Sequence, residues 1–132
     1  MAIGTRSPAA LPKAVTLEVK PVSGNAGRLS VVFKAATDNG RYGAATSYNM
    51  YVTTQVMIAG VSVKKYLNSS STEVEARTAH STPSAGTTIT LVSLNEGRLY
   101  TVEIESVYAF AGNDSAQKVS ASASGTPCDS PV

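Results

Sequence analysis

Apolar and polar residues alternate with a period of two through the stretch 87–108. The apolar positions of one face are Ile89 and Leu91 in the first half, and Tyr100, Val102 and Ile104 in the second. Polar residues, two glutamates among them, fill most of the positions between. A period of two is typical of a strand with one buried and one wet face, so the pattern predicts two strands joined across residues 94–100.

The same alternation recurs elsewhere in the chain. It predicts further strands at 15–19, 29–34, 46–54 and 119–125. Residues 55–63 hold enough β-branched and apolar side chains for another strand, with Gly60 at a turn or bulge. Gly, Pro and β-branched residues interrupt every helical window, so we expect an all-β fold. The predicted core comprises Leu17, Leu29, Val31, Phe33, Tyr48, Met50, Ile89, Leu91, Leu94, Tyr100, Val102 and Ile104.

A corner with its own chemistry joins the two strands of the 87–108 stretch. Leu94 precedes a turn that contains Gly97, and Tyr100 follows the glycine by three residues. This arrangement resembles the tyrosine corner of Greek-key sandwiches, in which the ring is buried and the hydroxyl bonds to nearby backbone. With Glu96 in place of a proline, residues 94–104 follow the Leu-x-Pro-Gly-Thr-x-Tyr-x-Val-x-Val pattern of the fibronectin type III family.

The resemblance covers most of residues 12–126 and implies a seven-stranded Greek-key β-sandwich, fibronectin type III-like. Residues 29–33 and 48–52 are similar to the family's strands B and C, and 115–126 to its strand G. The chain has no Trp, so Phe33 is expected to fill the core site that the family gives to that residue. The connection between strands C and E is longer than the family needs.

Length and composition indicate one folded domain. The chain has 132 residues, of which 42% are hydrophobic and 15% charged, and no apolar run approaches the roughly 20 residues of a helical membrane span. We expect a flexible arm at 1–11, the sandwich at 12–126 and a tail at 127–132, which carries the lone Cys128. The net charge of +2 gives no indication of a nucleic-acid partner, and membrane insertion is not expected.

The elongated C–E connection, residues 55–86, is predicted to be the main functional elaboration. Residues 56–63 are too apolar for a loose loop, so we expect them to pair as an edge strand or to lie against a neighbour. Lys64, Lys65 and Tyr66 would form a polar rim. Residues 68–86 are rich in Ser and Thr and are typical of a solvated loop that is mobile until bound, with a short edge strand at 72–78 as an option. A disordered insert of no consequence is the alternative.

Candidate catalytic chemistry is sparse. His80 has no Cys or acidic residue within four positions, so it reads as a solvated loop histidine rather than a ligand or base. Glu103 and Glu105 share the wet face of one strand, without a cleft to separate their pKa values. Phosphate-binding glycine loops, nucleophile elbows and paired-cysteine spacings are missing from the sequence. We therefore expect no catalytic residue, no cofactor and no metal.

Charge is distributed unevenly along the chain. Residues 1–65 hold eight Lys or Arg and two Asp or Glu, whereas residues 66–132 hold three and seven. If copies associate, the Glu103 and Glu105 face of one copy would meet a basic strand face, such as that of Lys20 or Lys34, on another. The alternative is that both faces are simply solvated.

Two functions fit these observations. The first is a non-enzymatic structural or display module of a larger extracellular or virion assembly, such as a decoration, fibre or filament component, with protein partners that include copies of itself. The N-terminus lacks the apolar segment of a secretory signal, which either was removed or is not needed for such an assembly.

The second function is a ligand-binding or adhesion domain of a longer secreted or cell-surface protein. Its loops, with Tyr42, Tyr108 and Phe110, would recognise a protein or a glycan. Tyr108 and Phe110 have the alternative of continuing the strand that begins at Tyr100 into the core.

Overall fold

A computed structural model of the protein describes residues 13–24, 26–36, 43–108 and 117–127. These residues form eight β-strands and no helix. The strands are β1 (Thr16–Pro21), β2 (Leu29–Lys34), β3 (Ser47–Ile58), β4 (Val61–Leu67), β5 (Glu73–Val74), β6 (Thr88–Leu91), β7 (Tyr100–Tyr108) and β8 (Gln117–Gly125). The expected all-β class is confirmed.

The strands form two antiparallel sheets, as in a β-sandwich. One sheet has three strands in the order β1-β2-β6, and the other has five in the order β5-β4-β3-β7-β8. The expected seven strands become eight because Glu73 and Val74 pair with the end of β4 as a short edge strand, within the option predicted at 72–78.

Side chains from both sheets meet in one hydrophobic core. All twelve predicted core residues belong to it, with Leu17, Tyr48 and Ile89 partly buried and the other nine buried. Phe33 is fully buried and its ring meets that of Tyr48 edge-on at 5.2 Å between centroids, a favourable aromatic geometry. The predicted core omitted Val15, Val52 and Leu67, which are also buried in this cluster.

The long β3–β4 hairpin corrects the predicted boundary between 46–54 and 55–63. β3 continues without a break to Ile58, and β4 begins at Val61. The two-residue turn consists of Ala59 at φ 52° and Gly60 at φ 80°. Positive φ at both positions is the geometry of the type I′ turn, whose twist matches that of paired strands. Gly60 therefore lies at the tip of a hairpin, and residues 56–63 pair with each other.

The segment 68–86 was predicted to be a solvated loop that is mobile until bound. None of its residues is buried, as expected of a solvated segment, but backbone hydrogen bonds hold it against the sheets. After β5 the chain returns to β3, where the backbone N–H of His80 donates to the Met50 carbonyl at 2.7 Å. The Met50 N–H in turn donates to the Ser81 carbonyl at 2.9 Å, and Gly86 donates to the Phe33 carbonyl at 3.0 Å. Short backbone bonds of this kind hold a segment in place. His80 itself is half-buried rather than solvated, and burial lowers its pKa.

The corner before β7 has a buried tyrosine that bonds to backbone. Tyr100 is 1% exposed, and its hydroxyl accepts a hydrogen bond of 2.8 Å from the backbone N–H of Asn95. Gly97 turns the chain at φ 76°, and Leu94 is buried beside the ring. A second loop supports the corner: a Cβ added to Gly27 would lie 2.8 Å from the Leu94 carbonyl oxygen, so only glycine fits there without displacement.

Candidate functional site

The outer face of the five-stranded sheet collects four of the predicted contact residues. Alternation along β7 sends Glu103 and Glu105 to the face opposite the core, and Tyr51 of β3 pairs with Glu103 across the ladder. Tyr66 of β4 lies on the same face, with its ring 6.4 Å from that of Tyr51. Lys64 completes the set, with its ammonium 5.2 Å from the Tyr66 ring centre.

Arg77, which leads out of β5, lies at the centre of this face. It donates two hydrogen bonds of 3.2 Å, one to each carboxylate oxygen of Glu103. Its second nitrogen is 3.6 Å from an oxygen of Glu105. The guanidinium carbon lies 3.8 Å from the ring centre of Tyr51, so the planar group is stacked as well as paired. We call Tyr51, Tyr66, Arg77, Glu103 and Glu105 the arginine cluster.

Mutual attraction shifts the pKa values of three members of the arginine cluster. The hydrogen bonds from Arg77 hold the pKa of Glu103 below its ordinary value, despite an opposing effect of burial. The same contacts raise the pKa of Arg77. A hydrogen bond with Arg77 also lowers the pKa of Tyr66. Each shift favours the charged form in the folded state, as expected for an ion pair with directed hydrogen bonds.

This geometry corrects the predicted role of the two glutamates. They were expected either to be solvated or to meet a basic strand of another copy, but Arg77 of the same chain already occupies both. Glu105 is only 13% exposed at its side chain. The predicted basic residue Lys20 likewise has a partner in its own chain, Glu18, at 3.3 Å. The arginine cluster therefore joins the chain after β5 to β3 and β7.

Two more ion pairs fix the same connection. Arg98, in the corner before β7, lies 2.6 Å from a carboxylate oxygen of Glu73 in β5. Lys65, predicted as part of an open polar rim, lies 3.5 Å from Glu75 and is 17% exposed at its side chain. Ion pairs with Arg98 and with Lys65 thus hold the connection between β4 and β6. Because Lys65 is paired and mostly buried, it is not available to contact a partner.

The aromatic residues predicted in the loops divide into two groups. Tyr108 is 1% exposed, packs against Ala45 and Val119, and donates its hydroxyl to the Lys13 carbonyl at 3.0 Å. Its expected role as an exposed contact is wrong, and the alternative, that it continues the strand into the interior, is what the structure has. Tyr42 and Phe110 lie outside the described residues.

The exposed apolar surface is concentrated at the tip of the β3–β4 hairpin. Met57 is 66% exposed, Ile58 46% and Val61 61%. Beyond Thr54, β3 pairs only with β4, because the ladder with β7 ends at Tyr100. Residues 55–64 therefore extend past the sandwich as a two-stranded ribbon, which we call the apolar hairpin.

The two faces of the apolar hairpin differ. On the face that continues the core side of the sheet, all four side chains are aliphatic and β-branched: Val56, Ile58, Val61 and Val63. On the opposite face Ser62 donates a hydrogen bond of 2.9 Å to the Gln55 side chain, near Met57. Pairing of aliphatic side chains across the ribbon keeps the first face continuous.

The part of the chain that the structure describes contains no group of three or more His, Cys, Asp or Glu arranged to hold a metal ion. In the same residues no helix is long and apolar enough to cross a membrane.

Two members of the arginine cluster were not found by sequence reasoning. Arg77 belonged to the predicted alternation at 72–78, which indicated an outward side chain but not its target. Tyr51 was placed in a strand without a role. The signal available was the cross-strand pair of an aromatic and a glutamate, Tyr51 opposite Glu103, which becomes visible only once the β3–β7 register is known.

Comparisons with known proteins find no matching family model, no matching curated protein and no matching solved structure.

Proposed function

We propose that this chain is a fibronectin type III-like sandwich that acts as a non-enzymatic protein-contact module in a larger extracellular or virion assembly. The observation that carries the proposal is the exposed apolar hairpin, whose Met57, Ile58 and Val61 are each about half to two-thirds exposed. The contact is made by this hairpin, through protein partners that include copies of the chain.

The energetics of the hairpin favour a covered state. Complete burial of an exposed aliphatic side chain is worth about 1.5–3 kcal/mol, so a partner that covers the partly exposed aliphatic face of Val56, Ile58, Val61 and Val63 gains a few kcal/mol. A two-stranded ribbon without a third strand is only marginally stable by itself. A partner surface would therefore both bury the aliphatic face and hold the ribbon in place. Tips of this kind are typical of binding surfaces rather than of solvated turns.

Three features support the family likeness. The order β4-β3-β7-β8 opposite β1-β2-β6 is compatible with the expected Greek-key sandwich. Tyr100 bonds to backbone five residues upstream, at the place where the family has its tyrosine corner. Phe33 fills the core at the position that the resemblance gives to an aromatic residue. The elongated C–E connection then corresponds to the apolar hairpin together with the segment 68–86, which leads back to β6.

A photo-crosslinking experiment tests the proposal. A photoreactive residue replaces Val61 in one variant and Val92 in another; Val92 is the matched control because it is an exposed valine outside the hairpin. Both variants are produced in the native host, and circular dichroism of the purified chains checks the fold. We expect specific protein adducts from position 61, mapped by mass spectrometry, and only diffuse background from position 92. Equal labelling at the two positions, or none at 61, would contradict the proposed contact.

A further inference from the structure

Among the residues that the structure describes, the two sheets end in four outer strands, and three of these strands carry a feature that hinders further pairing. β1 presents the Glu18 and Lys20 charges and ends in Pro21, which cannot donate to a ladder. β5 has two residues and β6 has four, so both are too short to template a partner. Short strands, charges and prolines are the usual protections of an exposed edge.

The fourth edge, β8, has almost no protection. It runs for nine residues, Gln117–Gly125, and pairs with β7 at every position without a bulge. It contains no proline, and Lys118 is its single charge. Ser120, Ser122 and Ser124 alternate with small apolar residues, so neither face hinders the approach of another strand.

In the described residues, β7 is the only strand that pairs with β8. β1 of the other sheet lies close to β8 at several positions, and Val19 packs against Gly125, but β1 forms its ladder with β2. In an antiparallel edge strand, alternate residues direct their N–H and C=O groups away from the sheet. Among the described residues these groups of β8 form no backbone hydrogen bond with β1, so they remain a row of donors and acceptors.

We infer that β8 pairs antiparallel with β8 of a second copy of this chain, about a twofold axis at Ala121. This register is the one that overlaps all nine residues, with Gln117 opposite Gly125 of the other copy. The two five-stranded sheets then become one continuous sheet of ten strands, an isologous contact. The edge lies on the far side of β3 and β7 from β4, so this inference is independent of the apolar hairpin.

A second copy fits this edge in charge as well as in shape. In the centred register the two Lys118 side chains lie about 20 Å apart, given the rise per residue of a strand. That distance exceeds the screening length of about 8 Å at physiological salt, so they do not repel. Each Lys118 instead faces Ser124 of the other copy. One pair of small-residue strands buries less than the roughly 800 Å² per partner of a stable complex, so the dimer is reversible and depends on concentration.

The pairing of Lys118 with Ser124 gives a charge-swap test. Sedimentation velocity of the full chain is measured from low micromolar to near-millimolar concentration, with Cys128→Ser throughout so that no disulfide mimics the contact. Ser124→Lys places like charges opposite each other twice and should weaken the dimer roughly two- to thirty-fold, the range of two cross-strand pairs. Ser124→Glu should strengthen it by a similar factor. The double variant Lys118→Glu, Ser124→Lys should restore dimerisation.

A matched control and a second measurement complete the experiment. Ser84→Lys adds the same charge at an exposed serine outside β8 and should leave the dimer unchanged. Amide exchange within 117–125 should slow as concentration rises. A chain that stays monomeric throughout overturns the inference, as do equal effects of both Ser124 variants. Protection of β8 amides that does not change with concentration also overturns it, because another segment of the same chain would then cover the edge.

Discussion

Arg77 holds Glu103, 26 residues further along the chain, through two hydrogen bonds of 3.2 Å that join the same two planar groups. A bidentate guanidinium–carboxylate pair fixes orientation as well as distance. Here it fixes the chain after β5 onto the outer face of the five-stranded sheet, and Tyr51 beneath the guanidinium closes the contact. The residues involved come from three separate parts of the sequence.

The first prediction concerns this contact. Arg77→Ala should lower the free energy of unfolding by about 1–3 kcal/mol, because the partly buried Glu103 carboxylate loses its bidentate partner and Glu105 keeps only the hydrogen bond from Asn49. Arg77→Lys should recover only part of the loss, since an ammonium can neither bind both oxygens in one plane nor stack as well. Urea unfolding measures both. Arg28→Ala, at an exposed arginine before β2, is the control and should change little. Equal stability of the Arg77 and Arg28 variants would contradict the assigned role.

The second prediction is a pH dependence. Arg77 holds the folded-state pKa of Glu103 below its ordinary value of 4.5. The ionised carboxylate therefore contributes stability that is fully present above pH 4.5 and is lost as pH falls through the lower folded-state pKa. Glu103→Gln should be less stable than the parent chain at pH 7, and the difference should shrink as the solution is acidified below pH 4.5. Urea titrations at several pH values measure this difference. A difference in unfolding free energy that does not decrease on acidification would contradict the ion pair between Arg77 and Glu103.

The third prediction concerns the corner. Tyr100→Phe should destabilise the domain by about 1 kcal/mol, because the Asn95 N–H loses its acceptor. Tyr48→Phe, which keeps the ring that packs on Phe33, is the comparison and should cost less. Thermal unfolding distinguishes the two, since 1 kcal/mol corresponds to about 4 °C or more in a domain near 100 residues. Identical melting curves for both variants would show that the hydrogen bond between Tyr100 and Asn95 does not stabilise the domain.

The fourth prediction concerns the return from β4 to β6. If 68–86 were only the solvated loop that the sequence predicts, a Gly/Ser linker in its place would leave the domain folded. We expect that exchange to destabilise the domain by several kcal/mol, because it removes Glu73, Glu75 and Arg77 together with the backbone bonds to Met50. Replacement of Ser69 and Ser70 alone, at an exposed turn, should be tolerated. Circular dichroism and thermal melting of the two variants decide between these expectations.

Features that depend on neighbouring residues could be predicted from the sequence, whereas features that depend on contacts between distant segments could not. Alternation is local, so it placed all twelve predicted core residues correctly. The extent of β3 was harder to predict, because residues 52–58 contain no Gly or Pro to mark an end, and Ala59-Gly60 is a weaker turn signal than Asn-Gly. Leu67 was missed because the pattern around it ends with two lysines and a tyrosine.

The arginine cluster could not be predicted from the sequence, for a different reason. Its contacts join residues that only the β3–β7 register and the path after β5 bring together. From composition, 68–86 resembled a solvated loop because Ser and Thr dominate it. The few charged residues that fix it, Glu73, Glu75 and Arg77, are indistinguishable in sequence from ordinary surface charges.

The apolar hairpin lies outside the hydrophobic core, so packing between the sheets does not constrain its side chains. Its residues 55–58 and 61–64 form ladder pairs with each other, while the core ends at Thr54 on β3 and Leu67 on β4. A substitution in the hairpin therefore leaves the packing between the sheets intact and alters only the surface that we propose a partner contacts. If that proposal holds, partner choice can diverge here at little cost in folding, and a foreign contact sequence can be grafted here.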